Sequence, residues 1–434
     1  MSNVNNDNWS RGTICVQGGY CPSAGEPRVL PISQSTTYKY EDPDQVTRLF
    51  DLEEVGHMYS RISNPTVEAF EKKICALEGG VGAVATASGQ SATLLAVLNI
   101  CECGDHLIAA STLYGGTFNL LKVTLKKLGI SVTLVDPDLS GDEIKSFTND
   151  RTRAVFGETI GNPGLNVLDF KKFAGVAKDL GVPFIVDNTL ATPCLCRPFE
   201  LGANIVVHST TKYTDGHATS VGGVVIDGGN FNWDNGKFPE LIDPDPSYHG
   251  VSYLERFGCA AYITKVRTQL LRDIGNCMSP FNAFLNHLGL ETLHLRMKRH
   301  SSNAFALAKW LDGHDLISWV NYPLFGDGDN ADLAKVYLKD GGSGILSFGI
   351  KGGTNEAKLF MKSLKLTALV VHLGDARTSI LHPATTTHRQ LSLEEQLASG
   401  VAPDLLRVSV GIEDAEDIIN DFDQALECLR TSIL

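Results

Sequence analysis

The segment Asn204-Ile-Val-Val-His-Ser-Thr-Thr-Lys-Tyr213 runs as an apolar strand into Ser209, Thr210, Thr211 and Lys212, with Gly216 in the turn that follows. A lysine so placed is presented at a strand end. Upstream, Val182-Pro-Phe-Ile-Val-Asp187 is a second apolar strand, and it stops on a carboxylate. Ligands of open α/β sheets sit beyond the carboxyl ends of the strands, so this amine and this acid can converge on one crevice. They form the pair that pyridoxal 5'-phosphate (PLP) requires: an amine to hold its aldehyde carbon covalently and an acid to keep its ring nitrogen protonated. Taken singly, Lys212 also reads as a solvated lysine and Asp187 as a turn or capping residue. Their joint occurrence points to chemistry.

Other residues fall into place around that pair. Ala87-Ser-Gly-Gln-Ser91 follows a strand and opens an apolar helix, so the N–H groups near Gly89 and Gln90 make an anion site for a phosphate. Ser88 belongs to it and is equally an ordinary helix cap. The hydroxyls of Ser209 and Thr211 can serve the same phosphate. Tyr114, just past a strand end in Ser111-Thr-Leu-Tyr-Gly-Gly-Thr117, can stack on the cofactor and exchange a proton with a leaving group, or simply pack. Asn162, in the turn Glu158-Thr-Ile-Gly-Asn-Pro-Gly164, can donate to the cofactor's phenolic oxygen. Arg407 sits inside the apolar strand Leu405-Leu-Arg-Val-Ser-Val410, where a charge needs an anionic partner; a substrate carboxylate bound bidentately fits. Cys101 with Cys103, Cys194 with Cys196 and His208 with His217 lack metal-ligand spacing, so no metal is expected. No phosphate-loop pattern suggests a nucleotide.

The elements that must hold these residues are those of an α/β protein. From Pro65 onward helical and strand patterns alternate: a helix over Val67–Leu77, a strand over Gly82–Thr86, a helix over Ser91–Asn99, then strands over His106–Ala110 and Ser131–Val135. Such alternation predicts a large, mostly parallel sheet covered on both faces. Residues 1–63, rich in Gly, Pro, Ser and Thr, show little periodicity and are expected to form an inter-subunit arm; residues 64–290 form the large domain and 291–434 a smaller C-terminal α/β domain. Residues 228–255 break the rhythm and read as a surface excursion near the site mouth. The chain has 434 residues, 43% of them hydrophobic, and a net charge of −13, which disfavours nucleic acid and anionic membranes as partners. The polar opening residues and the lack of any apolar run of about 20 residues predict a cytoplasmic protein with free thiols, its ten cysteines unpaired.

With these residues in view, the chain resembles the cysteine and methionine metabolism family of PLP-dependent enzymes. Met58-Tyr-Ser-Arg-Ile-Ser-Asn-Pro65, Ala87-Ser-Gly89, Leu113-Tyr-Gly-Gly-Thr117, Val186-Asp-Asn188, Ser209-Thr-Thr-Lys-Tyr213 and His382-Pro-Ala-Thr-Thr-Thr-His388 stand in that family's order. The resemblance implies fold type I architecture, like that of aspartate aminotransferase, with a homodimer as minimal unit and usually a homotetramer. It also implies that Tyr59 and Arg61 reach the cofactor phosphate of the neighbouring subunit. Gly228–Trp233, Gln269–Gly275 and Leu290–Arg296 look most like the branch that acts on O-acetylhomoserine. Methionine γ-lyases usually carry Cys at the position of Gly116, and cystathionine-handling members an acid near Val371. The expected reaction is γ-replacement, in which O-acetyl-L-homoserine and sulfide (or methanethiol) give L-homocysteine (or L-methionine) and acetate. Lyase-type elimination and cystathionine γ-synthase-type replacement are the alternatives. His372, expected in the substrate pocket with Arg407 and Asn162, stands where this branch more often has Asn or Ser.

Overall fold

Short runs of aliphatic and β-branched residues, most of them buried on both faces as in parallel sheets, form a seven-stranded sheet in the computed structural model. Its strands are β1 (Gly82–Thr86), β2 (His106–Ala110), β3 (Ser131–Val135), β4 (Thr152–Glu158), β5 (Phe184–Asp187), β6 (Ile205–His208) and β7 (Gly223–Asp227). They lie in the order β1-β7-β6-β5-β4-β2-β3. β3, β2, β4, β5 and β6 run parallel, whereas β7 is antiparallel to both β6 and β1. The parallel run brings the carboxyl ends of β2, β4, β5 and β6 to one edge. The structure describes residues 9–433 except 388, 390, 391 and 399; residues 1–8 of the arm and His388 of the His382–His388 motif lie outside the described residues.

A second sheet holds β8 (Ile317–Asn321), β9 (Ile345–Ile350), β10 (Ala368–Leu369), β11 (Ser379–Leu381) and β12 (Leu405–Ser409), ordered β10-β11-β12-β9-β8. It is antiparallel except between β10 and β11. Each sheet has its own hydrophobic core, and the 20-residue helix Leu293–Asp312 joins them. Leu293 and Met297 pack into the first core, Ala304, Leu307, Ala308 and Leu311 into the second. The helix thereby couples the orientation of the sheet carrying Arg407 to that carrying Lys212.

One expectation needs correction. Residues 228–255 are not an excursion at the site mouth. Trp233 is 2% exposed and stacks on Tyr262 with centroids 5.2 Å apart, and Phe238 meets it edge-on. None of these residues lines the cleft described below. These aromatics belong to the core of the large sheet, and the polar residues around them cover it. The arm, in turn, carries regular structure despite its weak periodicity. A helix over Arg11–Gln17 buries Ile14 and Cys15 in the large core, and Asp42 caps a second helix, Pro43–Phe50, accepting from the Gln45 N–H at 2.7 Å. Among the described residues, no helix is long and apolar enough to cross a membrane. Among the described residues no disulfide joins any of the ten cysteines.

Candidate active site

The turn after β6 is closed by backbone bonds from Lys212 N to Ser209 O (3.3 Å) and from Gly216 N to Lys212 O (2.8 Å). Gly216 is needed there: its φ is +72°, and a Cβ would lie 2.2 Å from the Arg296 guanidinium. This geometry sends Lys212 into a cleft at the carboxyl edge of the sheet. Burial, helped by the nearby charge of Arg407, lowers the Lys212 amine to about 8. An appreciable fraction is therefore neutral near neutral pH, as a nucleophile or base must be.

Asp187 ends β5 in the same cleft, its Oδ1 accepting from the Thr189 N–H at 2.9 Å. Burial raises its carboxyl above the ordinary range, against the lowering by Thr189 and His208. Among the described residues, Asp187 makes no ion pair. A cationic ring nitrogen would supply what this acid lacks.

The residues expected at the phosphate lie between the end of β1 and the turn after β6, strands that β7 separates in the sheet. Ser88 adopts extended backbone (φ −163°) and its Oγ accepts from the Ser91 N–H at 3.1 Å, starting the helix Gly89–Leu98 and turning its first N–H groups toward the cleft. A Cβ on Gly89 would fall 2.6 Å from the Ser209 Cβ, so only glycine lets this helix start against the β6 turn. Gln90 donates to Thr117 at 3.3 Å. Thr211 shares its hydroxyl with the backbone of Gly222, donating to O at 3.2 Å and accepting from N at 3.1 Å. Ser88, Gly89, Gln90, Ser209 and Thr211 all line the cleft.

The opposite wall carries the residues expected to face an amino-acid substrate, Arg407, Asn162 and His372. Arg407, on β12 and 5% exposed, donates from Nη1 to Asn162 Oδ1 (3.3 Å) and from Nη2 to the His372 carbonyl (3.0 Å). Its buried Nε has no partner, and burial lowers the guanidinium to about 10. No carboxylate pairs with it among the described residues, which leaves the place for a ligand's. Burial, followed by the charge of Lys212, lowers His372 to about 4, so its imidazole is neutral in the cleft, with Nε2 buried and unpartnered. Tyr114 begins the helix Gly115–Asn119 with its side chain 43% exposed in the cleft. A Cβ on Gly116 would come within 2.5 Å of its ring.

The cleft thus brings together Lys212, Asp187, Ser88, Gly89, Gln90, Tyr114, Asn162, Ser209, Thr211, His372 and Arg407. Tyr59 and Arg61 do not line it. Tyr59 is exposed, Arg61 lies over its ring at 5.5 Å from the centroid, and Arg61 Nη1 donates to the Arg272 carbonyl. Among the cleft residues that the sequence patterns did not single out are Thr189 and the acid Glu158. The strand-end rule that found Asp187 also finds Glu158 once it is applied to β4. The donor set fits PLP: an amine, an acid without a cation, and a helix start crowded enough to demand glycine.

Comparison with known proteins agrees with the geometry. Residues 12–427 match the family model described as Cys/Met metabolism PLP-dependent enzyme. The chain is 48% identical to the O-acetyl-L-homoserine sulfhydrylase of Leptospira meyeri, covering 97% of each chain. It is 48% identical to the homocysteine synthase of Schizosaccharomyces pombe, over 96% of this chain and 97% of that one. A Campylobacter jejuni structure assigned as an O-acetylhomoserine (thiol)-lyase, which carries a pyridoxyl-lysine phosphate, superposes with a TM-score of 0.93 at 36% identity, covering 96% of this chain and all of that one. The cleft, its paired amine and acid, and these matches over nearly the full length make the chain a member of the Cys/Met metabolism family of PLP-dependent enzymes.

Proposed function

We propose that this enzyme catalyses PLP-dependent γ-replacement, converting O-acetyl-L-homoserine and sulfide, or methanethiol, into L-homocysteine, or L-methionine, and acetate. The observation that carries this reading is the meeting in one cleft of Lys212, Asp187 and Arg407: a half-buried amine, an acid without a cation and an arginine without a carboxylate. The names of the relatives, O-acetyl-L-homoserine sulfhydrylase and homocysteine synthase, support the choice of substrate.

Asp187 would pair with the ring nitrogen, Ser88, Gly89, Gln90, Ser209 and Thr211 would hold the phosphate, and Asn162 would donate to the phenolic oxygen. When bound, the cofactor supplies an electron-accepting ring that spreads the charge developed at the substrate's Cα. Arg407, beside Asn162 and His372, fixes the substrate carboxylate and so aims Cα–H at Lys212. Lys212, partly neutral because it is buried, takes that proton and moves protons at Cβ. Tyr114 assists the departing acetate. Overall a Cγ–O bond breaks, a Cγ–S bond forms, and the proton given up by hydrogen sulfide balances the acetate. The test is a panel of homoserine esters, methionine and cystathionine, each with and without sulfide. Homocysteine and acetate are expected from O-acetyl-L-homoserine only when sulfide is present. Ketoacid and ammonia released without sulfide as the main products overturn replacement in favour of elimination.

The working assembly in this reading is a cytoplasmic homodimer, paired into a homotetramer, with the arm of 1–63 crossing between subunits, a cofactor domain of 64–290 and a C-terminal domain of 291–434. Tyr59 and Arg61 then serve the partner's phosphate, which accords with their absence from their own cleft. Arg61→Ala is expected to weaken cofactor retention. Mixing it with Lys212→Ala after dissociation restores activity, because one site of each hybrid dimer keeps both residues. Verified hybrids without recovered activity mean that the arm serves its own subunit.

A further inference from the structure

Glu158 is the cleft residue to which none of these steps gives work. It ends β4 in register with Asp187 at the end of β5, so the two acids stand side by side on strands about 4.8 Å apart and point to the same face. Glu158 is 7% exposed, its Oε1 accepts from the Tyr114 N–H at 2.8 Å, and it makes no ion pair among the described residues. Two buried carboxylates cannot both ionise so close together without a cation between them. Their surroundings decide which holds the proton. Asp187 is stabilised as an anion by both the backbone and the side chain of Thr189, whereas Glu158 receives a single backbone donor. A cationic ring nitrogen beside Asp187 widens that difference. The other ionisable groups facing the cleft are Lys212 after β6, His372 before β11, Arg407 on β12 and Tyr114.

We propose that Glu158 is a positioning residue of the cofactor site, a carboxyl held in its acid form that anchors the backbone of Tyr114 and leaves Asp187 as the sole anion to serve the ring nitrogen. Burial and the charge of Asp187 push the Glu158 carboxyl well above its ordinary value, in keeping with that state. The inference rests on Asp187 and Lys212 forming the PLP site. It extends that reading by giving the aromatic wall of the site a fixed attachment to its acidic floor.

The test compares Glu158→Gln and Glu158→Ala with the wild type. Gln keeps an oxygen for the Tyr114 N–H and carries no charge at any pH; Ala removes the anchor. PLP dissociation constants are measured on apoprotein, and Glu158→Ala is expected to bind about tenfold more weakly, with Glu158→Gln recovering most of that loss. The second readout is apoprotein stability against pH. An acid whose folded value is raised binds its proton more tightly when folded, so it loses stability as pH rises from the unfolded value, near 4.3, through the folded one. Glu158→Gln removes that loss, so its stability relative to wild type is expected to climb steadily above about pH 4. A flat difference overturns the acid form, and Glu158→Gln binding PLP as weakly as Glu158→Ala overturns the neutral anchor. Wild-type affinity in Glu158→Ala overturns the positioning role. Should Glu158→Ala not fold, the pH dependence of Glu158→Gln decides alone. Borohydride trapping on every variant separates the two readings: cofactor found on a lysine other than Lys212 sinks the site assignment itself and this proposal with it.

Discussion

Replacing Lys212 by alanine is expected to abolish turnover, with a loss of at least about 10³-fold, while the protein keeps its fold. The catalytic loss follows from the number of tasks on one amine, which holds the cofactor, takes the Cα proton and moves protons at Cβ. The tolerance of the fold follows from the surroundings of the side chain. Lys212 is half-buried, its amine is lowered to about 8 by burial and by Arg407, and its place in the turn is fixed by backbone bonds that alanine keeps. Removing it relieves a desolvated charge and opens no cavity in the hydrophobic core. Borohydride reduction followed by peptide mass spectrometry should find the pyridoxyl adduct on the Lys212 peptide in wild type and nowhere in the variant, with melting temperatures alike. An adduct on another lysine would falsify the assignment.

The inner strands were legible because their burial is two-sided, and the edge strand Ser131–Val135, fully buried only at Val135, because β-branched residues fill it. Gly82–Thr86, His106–Ala110 and Ser131–Val135 have the same limits in the structure as in the sequence pattern, since a short apolar run bounded by turn residues has few other uses in an α/β chain. The direction of β7 was not legible. Gly-Val-Val-Ile-Asp reads the same whether a strand runs with or against its neighbours; the connection through Lys212 to Gly222, which is turn and irregular backbone with no helix, carries the information. Phe231, Trp233 and Phe238 follow neither strand nor helix period, and only their packing on one another and on Tyr262 shows them to be core. The helix after Asp42-Pro43 was signalled by its cap and its first-turn proline and was masked by the polar composition around it. Lys212, Asp187 and Arg407 were found as charges set in apolar strands, a pattern that is costly without function. Glu158 belongs to the same class. It escaped because the turn after it drew attention to Asn162.

Arg407→Lys is expected to raise KM for O-acetyl-L-homoserine far more than KM for sulfide, and to lower kcat/KM by roughly 30-fold to 1000-fold, the equivalent of about 2 to 4 kcal/mol. The guanidinium is held by two of its own donors, to Asn162 Oδ1 at 3.3 Å and to the His372 carbonyl at 3.0 Å. With its plane fixed and Nε unpartnered, the edge left over presents a carboxylate with donors that already point the right way. Lysine brings the charge without the planar fork; its ammonium, on a stem that packs differently, can reach Asn162 or the ligand but cannot hold both. Burial already lowers Arg407 to about 10, and a lysine there is lowered further from its smaller ordinary value, so part of the population loses the charge as well. Because the His372 contact to Arg407 runs through the backbone carbonyl, His372→Asn should leave the carboxylate fork in place and shift KM for the amino acid less than Arg407→Lys does. Steady-state kinetics with each substrate varied in turn separates the two pockets. If Arg407→Lys leaves kcat/KM for O-acetyl-L-homoserine unchanged, the carboxylate is bound elsewhere and the assignment of this wall to the amino-acid substrate falls. Sulfide has no carboxylate to lose, so equal increases in both KM values would point instead to a general collapse of the wall that carries β12.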